Sequence, residues 1–320
     1  MGVDQSGVRA TPRLDLGAAI EEYVQDAGDF IGTRLFPIFK TPQKAANFSA
    51  ITRESLTQTP DTKRAPNGKY NRGSIGAKDV GYSCEENGFE MPLDDGERRN
   101  YAKDFDAELA VSKAAMNIVL RGQESRIAAL AMNTSIFTGA PLFTDVTGSN
   151  IWSDPTKDIL KTIRDAKAQI RKNCGLLPNM LVMSYTNLNL CLNNDKIKDA
   201  IKYTARPTEA EIINALKDFF GIPNVLIANA IKNSSKEGQA FSGSDIWSPT
   251  YVLLAVSAQD GQDPTQPSIG RTFLWANDSP ENVMVEQYRD ESIRSDVFRS
   301  RQHTDEIVLD KYFGHLLKVV

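Results

Sequence analysis

Apolar residues three and four apart mark one stretch above all others, Tyr101 to Phe137. Phe105, Leu109, Met116, Val119, Leu120, Ile127, Leu130 and Ala131 fall on one helical stripe, with no proline and only Gly122 between Asp104 and Ser135. Asp104, Asp106 and Glu108 stand in the first turns, where the helix dipole favours negative charge. The spacing predicts one helix of roughly 32 residues, a rod of about 48 Å at 1.5 Å per residue. An average globular helix has about 11–12 residues. The stretch is too polar for a membrane span and carries no sustained heptad seam. A rod of this length suits the brace of a broad, thin subunit.

Upstream the pattern is different. Residues 1–15 are polar, with Arg9 and Arg13 and no signal-peptide core, and read as an arm. Leu16–Ala27 reads as a short helix stopped by Gly28, and Phe30–Ile31 and Leu35–Phe39 as extended. Phe48–Thr52 and the start of Tyr82–Cys84 alternate as strands do. Between them lie Pro60, Pro66, Gly68, Gly73 and Gly76, with Asn67–Gly68 as a tight-turn pair. So long a polar connection points to a functional loop. A two-stranded arm is expected, finding its core on a neighbour because a lone hairpin is marginal in water.

Downstream, Asp154–Pro155 marks a helix start with Ile159, Ile163, Ala166 and Ile170 on its face and Gly175 after it. Leu181–Met183 reads as a buried strand, Leu188–Tyr203 as a broken helix, and Thr208–Glu211 as a capping box for a helix ending at Gly221. Val225–Ala228 and Tyr251–Val256 are further strands. No glycine-rich turn between them resembles a phosphate loop. Phe273–Ala276, Val283–Val285, Ser292–His303, Ile307–Leu309 and Leu316–Val320 are extended, with Arg299, Arg301 and His303 on one face of the long strand.

Charge refines this picture. The 320 residues carry a net charge of −4, with no overall basic excess to bind nucleic acid. Arg53–Lys78 is locally +4, with six bases against two acids. Residues 94–108 are −3, with six acids against three bases. Cys84, Cys174 and Cys191 match neither a disulfide framework nor a zinc site, and are expected to be reduced and unpaired. His303 and His315 have no metal-ligand spacing, and no Gly-x-Ser-x-Gly elbow marks a nucleophile. No catalytic, cofactor or metal residue is expected.

Three local runs then resemble a known family: GLLPNMLVM at Gly175–Met183, LKDFFGIPNV at Leu216–Val225, and VMVEQYRDESIRSDVFR at Val283–Arg299, with Phe313–Gly314 near the end. Taken with the order of segments, they resemble the major capsid proteins of tailed bacteriophages with the Hong Kong 97-type fold. The resemblance implies an α+β fold: N-terminal arm and short helix (1–41), extended β-hairpin loop (42–92), peripheral domain with a long spine helix (93–149), inserted α/β axial domain (150–270) and closing peripheral strands (271–320). It implies a shell subunit and not an enzyme. Its partners would be itself, in hexamers and pentamers, then scaffolding, portal and decoration proteins, and packaged double-stranded DNA, with no membrane and no cofactor. The long N-terminal scaffolding segment of some members is missing, which implies a separate scaffold or a segment that has been removed. Some members join a loop lysine to a neighbour's asparagine; no cue selects Lys63, Lys69 or Lys78 for that role. The other readings are an encapsulin-like nanocompartment and an enzyme with a pocket in 150–270. The charge pattern gives the expected contact: Lys63, Arg64 and Lys69 of one copy over Asp94, Asp95 and Glu97 of the next.

Overall fold

A computed structural model of the chain describes residues 11–12, 30–64, 66–101, 106–201, 209–236 and 238–320. The helix expected over Leu16–Ala27 and most of the N-terminal arm lie outside these residues.

The spine helix is Ala107–Ala131, 25 residues and about 37 Å long, shorter at both ends than the stripe predicts. At its start the Asp106 carboxylate accepts the amides of Glu108 (3.1 Å) and Leu109 (3.2 Å), an N-cap that ends the helix there. A separate helix, Asp95–Tyr101, precedes it. At the far end, Asn133 takes the Ser135 amide on its side chain (2.8 Å) and the Phe137 amide on its carbonyl (3.0 Å). This local turn competes with the helix ladder and swings Phe137 into the core.

The helix lies on a six-stranded sheet built around the 14-residue strand Ser295–Val308. That strand pairs with Met284–Asp290 on one side, Glu85–Asp94 on the other, and Gly270–Trp275 at its far end. Ile38–Thr41 runs parallel to Gly270–Trp275, and Thr11–Pro12 adds to Met284–Asp290. Leu93, Met116, Val119, Leu120, Val283, Val285 and Phe298 fill the space between helix and sheet. One helical turn, Gly32–Leu35, stands between the two runs expected to be extended and takes in Leu35, because a spine carboxylate receives the Ile31 and Gly32 amides.

A second, five-stranded sheet has the order Phe143–Asp145, Gly314–Lys318, Tyr251–Ala255, Met180–Ser184, Asn224–Ala228. Met180–Ser184, buried at every position, runs parallel to Asn224–Ala228 through a helical crossover of Tyr185–Asn193, Asp195–Ile201 and Glu209–Phe220. The sheet is not confined to residues 150–270, since Phe143–Asp145 and Gly314–Lys318 are part of it. The helix on its face begins at Ile159, later than Asp154–Pro155 suggests. Asp154 instead accepts the Thr156 amide and hydroxyl in a turn, and Asp158 caps the helix through the Lys161 amide (2.9 Å). Ile159, Ile163, Ala166 and Ile170 are buried, and Gly175 closes the helix at φ +79°.

Ala45–Ile51 and Ala77–Ser83 pair only with each other, in a register from Ala45↔Ser83 to Ile51↔Ala77. They form the expected hairpin, but its root packs on Phe39 and Phe273 of its own chain and not on a neighbour. Among the described residues no helix is long and apolar enough to cross a membrane.

Candidate assembly interface

The direction of the hairpin is set at its root. Phe48 and Tyr82, on facing strands, bury themselves against Phe39 and Phe273. Tyr82 stacks on Phe273 with centroids 4.4 Å apart, and Phe39, Phe48 and Phe273 meet edge to face at 5.3–5.7 Å. The Tyr82 and Thr41 hydroxyls share a 2.7 Å hydrogen bond. Behind this box Arg271 is wholly buried. Its guanidinium donates to the carbonyls of Gly261, Asp263 and Gln266 and sits 5.5 Å from the Phe48 ring centre. A cation held by carbonyls through both Nη atoms and flanked by ring faces ties the 260–266 turn to the hairpin root.

Beyond the root the chain has little to hold it. Arg53 lies 3.5 Å over the Tyr312 ring, and Gly76 bonds back to Thr52 and Ser55. Past that point the described residues from Thr57 to Gly76 are exposed apart from half-buried Gly68. Lys63, Arg64 and Lys69 all lie on this tip. Arg64 donates to the Gly68 carbonyl (2.7 Å) and covers the Tyr70 ring at 4.8 Å. Tyr70 is nevertheless 71% exposed and Ile75 78%, so apolar as well as basic groups face outward.

The acidic stretch is only partly open. Asp94 and Glu97 are exposed, and Asp94 accepts the Gly96 amide at 2.7 Å. Asp95 is engaged by Arg289 through two parallel hydrogen bonds (2.7 and 2.8 Å), which hold its carboxyl below the usual range. Arg98 is engaged by Glu108 (2.8 Å) and Asp296 (2.5 Å). Glu85, Glu86 and Glu90 continue the acidic surface along the strand Glu85–Asp94. As the alternation predicts, Arg299, Arg301 and His303 share a face of the long strand, meeting Glu90 (2.5 Å), Glu286 (2.8 Å) and Asp278 (2.7 Å) respectively.

No protein-family model matches the chain. Over 277 residues, 85% of the chain and 87% of the relative, it is 25% identical to the major capsid protein of Burkholderia phage BcepMu. It is 23% identical over 190 residues to the major capsid protein of Pseudomonas phage JBD67, covering 59% of the chain and 60% of that protein. Among solved structures, a phage-related protein from Bordetella bronchiseptica aligns with a TM-score of 0.73 at 21% identity, over 97% of this chain and 98% of that one. The capsid of cyanophage P-SCSP1u aligns at 0.55 and 10% identity, over 89% and 86%. The chain belongs to the phage major capsid proteins with the Hong Kong 97-type fold.

The capsid protein is therefore a structural component of the virion shell and not an enzyme. Its five-stranded sheet and the helix Ile159–Cys174 do flank a cavity of about 480 Å³ lined by Asp145, Lys161, Asp165, Gln169 and Lys172. The carboxylates there are tied up: Asp165 by Lys161 (2.5 Å), and Asp145 by Thr147 and Lys318, which bring it down to about 2. Nearby His315 is buried, bonded to Thr144 (2.9 Å) and the Pro141 carbonyl (3.1 Å). Cys84, Cys174 and Cys191 are buried and unpaired within the chain.

Two residues that organise the capsid protein escape a reading of the sequence. Arg271 carries no flanking signal. Glu124 does: it falls on the apolar stripe between Leu120 and Ile127, where a carboxylate is out of place unless something buried needs it.

Proposed function

We propose that the capsid protein assembles through pentamers and hexamers into an icosahedral shell around double-stranded DNA, with scaffolding, portal and decoration proteins as assembly partners. The hairpin tip would lie over the start of the spine region in a neighbouring copy. The observation that carries this is the tip itself. Its exposed Lys63, Arg64 and Lys69 sit with Tyr70 and Ile75 on a segment that buries almost nothing in its own subunit. Such a segment gains order only by docking. Asp94 and Glu97 are the complementary groups, since Asp95 is held by Arg289. Each exposed ion pair contributes only about 0–1 kcal/mol, but closed symmetry repeats the contact around the shell. The net charge of −4 also suits a container into which DNA must slide.

The test is charge reversal. Lys63, Arg64 and Lys69 changed together to Glu should leave soluble, folded subunits that form no particles at low salt. Wild-type particle yield from that variant would remove the docking contact. Hydrogen exchange gives a second measure: the tip should exchange fast in free subunits and slowly in particles.

A further inference from the structure

The sequence contains two Asn–Gly pairs, Asn67–Gly68 and Asn87–Gly88, and the fold treats them in opposite ways. Asn87 and Gly88 are rungs of the ten-residue strand Glu85–Asp94, facing Gln302 and Arg301. The Asn87 side chain donates to the Glu85 carbonyl at 3.4 Å. Gly88 is so close to the long strand that a Cβ there would meet the Ser300 carbonyl at 3.1 Å. This backbone cannot turn without breaking the sheet. Asn67 is exposed on the hairpin tip, in the left-handed region at φ +60°. The segment around it has no core to restrain it.

We propose that Asn67 is a site of spontaneous deamidation in the unassembled capsid protein. The Gly68 amide nitrogen attacks Cγ of Asn67. A Cγ–N bond forms, the Cγ–Nδ2 bond breaks, and ammonia leaves with the proton given up by the Gly68 nitrogen. Water then opens the five-membered imide at either carbonyl, giving aspartate or isoaspartate. No other reactant is needed. Glycine favours the attack because no Cβ hinders the approach or limits the backbone angles. The nearby cations Lys63, Arg64 and Lys69 favour the anionic nitrogen and the oxyanion that form on the way. Each event adds one acid to the tip, so Arg53–Lys78 falls from +4 to +3, six bases against three acids. The chemistry stands independently of the docking contact; its effect on assembly rests on that reading.

Free subunits are incubated at mildly alkaline pH, digested, and followed by peptide mass spectrometry and isoaspartate labelling. The peptide holding Asn67 should gain one mass unit and label, while the peptide holding Asn87 stays unchanged. After unfolding in urea, both should react. Gly68→Ala should slow the reaction at Asn67 several-fold without altering the fold. An Asn67 that stays intact, or that reacts no faster than Asn87 in the native protein, overturns the proposal. Assembled particles separate the two ideas. Slower reaction there than in free subunits supports both. Equal rates uphold the modification and overturn the docking contact.

Discussion

The Glu124 carboxylate accepts the Trp247 indole N–H at 2.6 Å, joining the middle of the spine helix to the loop before the strand Tyr251–Ala255. The same oxygen takes the Ile31 amide (3.0 Å), and the other takes the Gly32 amide (2.8 Å). All three donors are neutral N–H groups, two from adjacent Ile31 and Gly32 and one from Trp247, all far from Glu124 in the chain. Glutamine keeps the shape but turns one acceptor into a donor, aimed at another N–H. Glu124→Gln is therefore expected to lose about 1–3 kcal/mol of stability, the cost of leaving a buried polar group unmatched. Denaturant unfolding of the free subunit measures it, and an unchanged midpoint would show the latch to be unimportant.

The same residue predicts a pH dependence. Burial raises the Glu124 pKa, with the three hydrogen bonds opposing but not cancelling it. A raised native pKa gives stability that is full below the unfolded value, about 4.3, and lost as pH rises through the native value. Gln does not titrate. The stability difference between wild type and Glu124→Gln should shrink as pH is stepped up from that point. A difference that stays level, or grows, contradicts this sign.

How far the sequence carries the fold depends on whether a residue's role is periodic. Ile159, Ile163, Ala166 and Ile170 repeat, and their helix face was legible; so was the hairpin, from Phe48 and Tyr82. The ends of elements were less so. Asn133 and Asp158 each decide a boundary by one side-chain hydrogen bond, which competes with alternatives that look equally good in the sequence. Singular long-range contacts leave almost no trace. Arg271 gathers three carbonyls, Glu124 gathers donors 92–123 residues away, and Arg289 takes Asp95 out of the acidic patch. The basic tip was visible as charge, but only the structure shows which acids remain open to it.

Arg301 should be among the least replaceable surface-sheet residues. Its side chain is 12% exposed and bonds Glu286 through Nε (3.0 Å) and Nη2 (2.8 Å), with Asp278 on Nη1. Burial alone would raise Asp278, yet Arg301 and His303 bring it below its ordinary value. Arg301→Met leaves two carboxylates without their shared cation, a loss of about 3–5 kcal/mol. A lowered carboxylate pKa gives stability that is present above about 3.9 and lost as pH falls through the native value. The variant's deficit should accordingly be large at neutral pH and narrow in acid, as thermal or denaturant unfolding at both pH values can check.

The thiols should be silent in the native protein. Cys84, Cys174 and Cys191 are buried and unpaired, and burial pushes Cys84 up to about 11 and raises the other two. Neither thiolate character nor access favours reaction. A thiol reagent at neutral pH should label none before unfolding and all three after it. Particles that come apart on adding reductant would reveal a bridge between subunits and overturn this.

The orientation of the spine helix can be tested with two isoleucines. Ile127 is fully buried beside Ile31 and Leu35, whereas Ile118 is 40% exposed. They stand nine residues apart, two and a half turns at 3.6 residues per turn, and so face opposite ways. Burying an isoleucine is worth roughly 1.5–3 kcal/mol, and aspartate at Ile127 would add an unpaired charge inside the core. Ile127→Asp should give insoluble or unassembled protein. Ile118→Asp should give a soluble, folded subunit, whatever it does to later assembly. The solubility and circular dichroism of free subunits provide the readout, so a loss at a subunit contact is not mistaken for a loss of fold. A folded Ile127→Asp beside an unfolded Ile118→Asp would mean that the helix lies on the sheet by its other face.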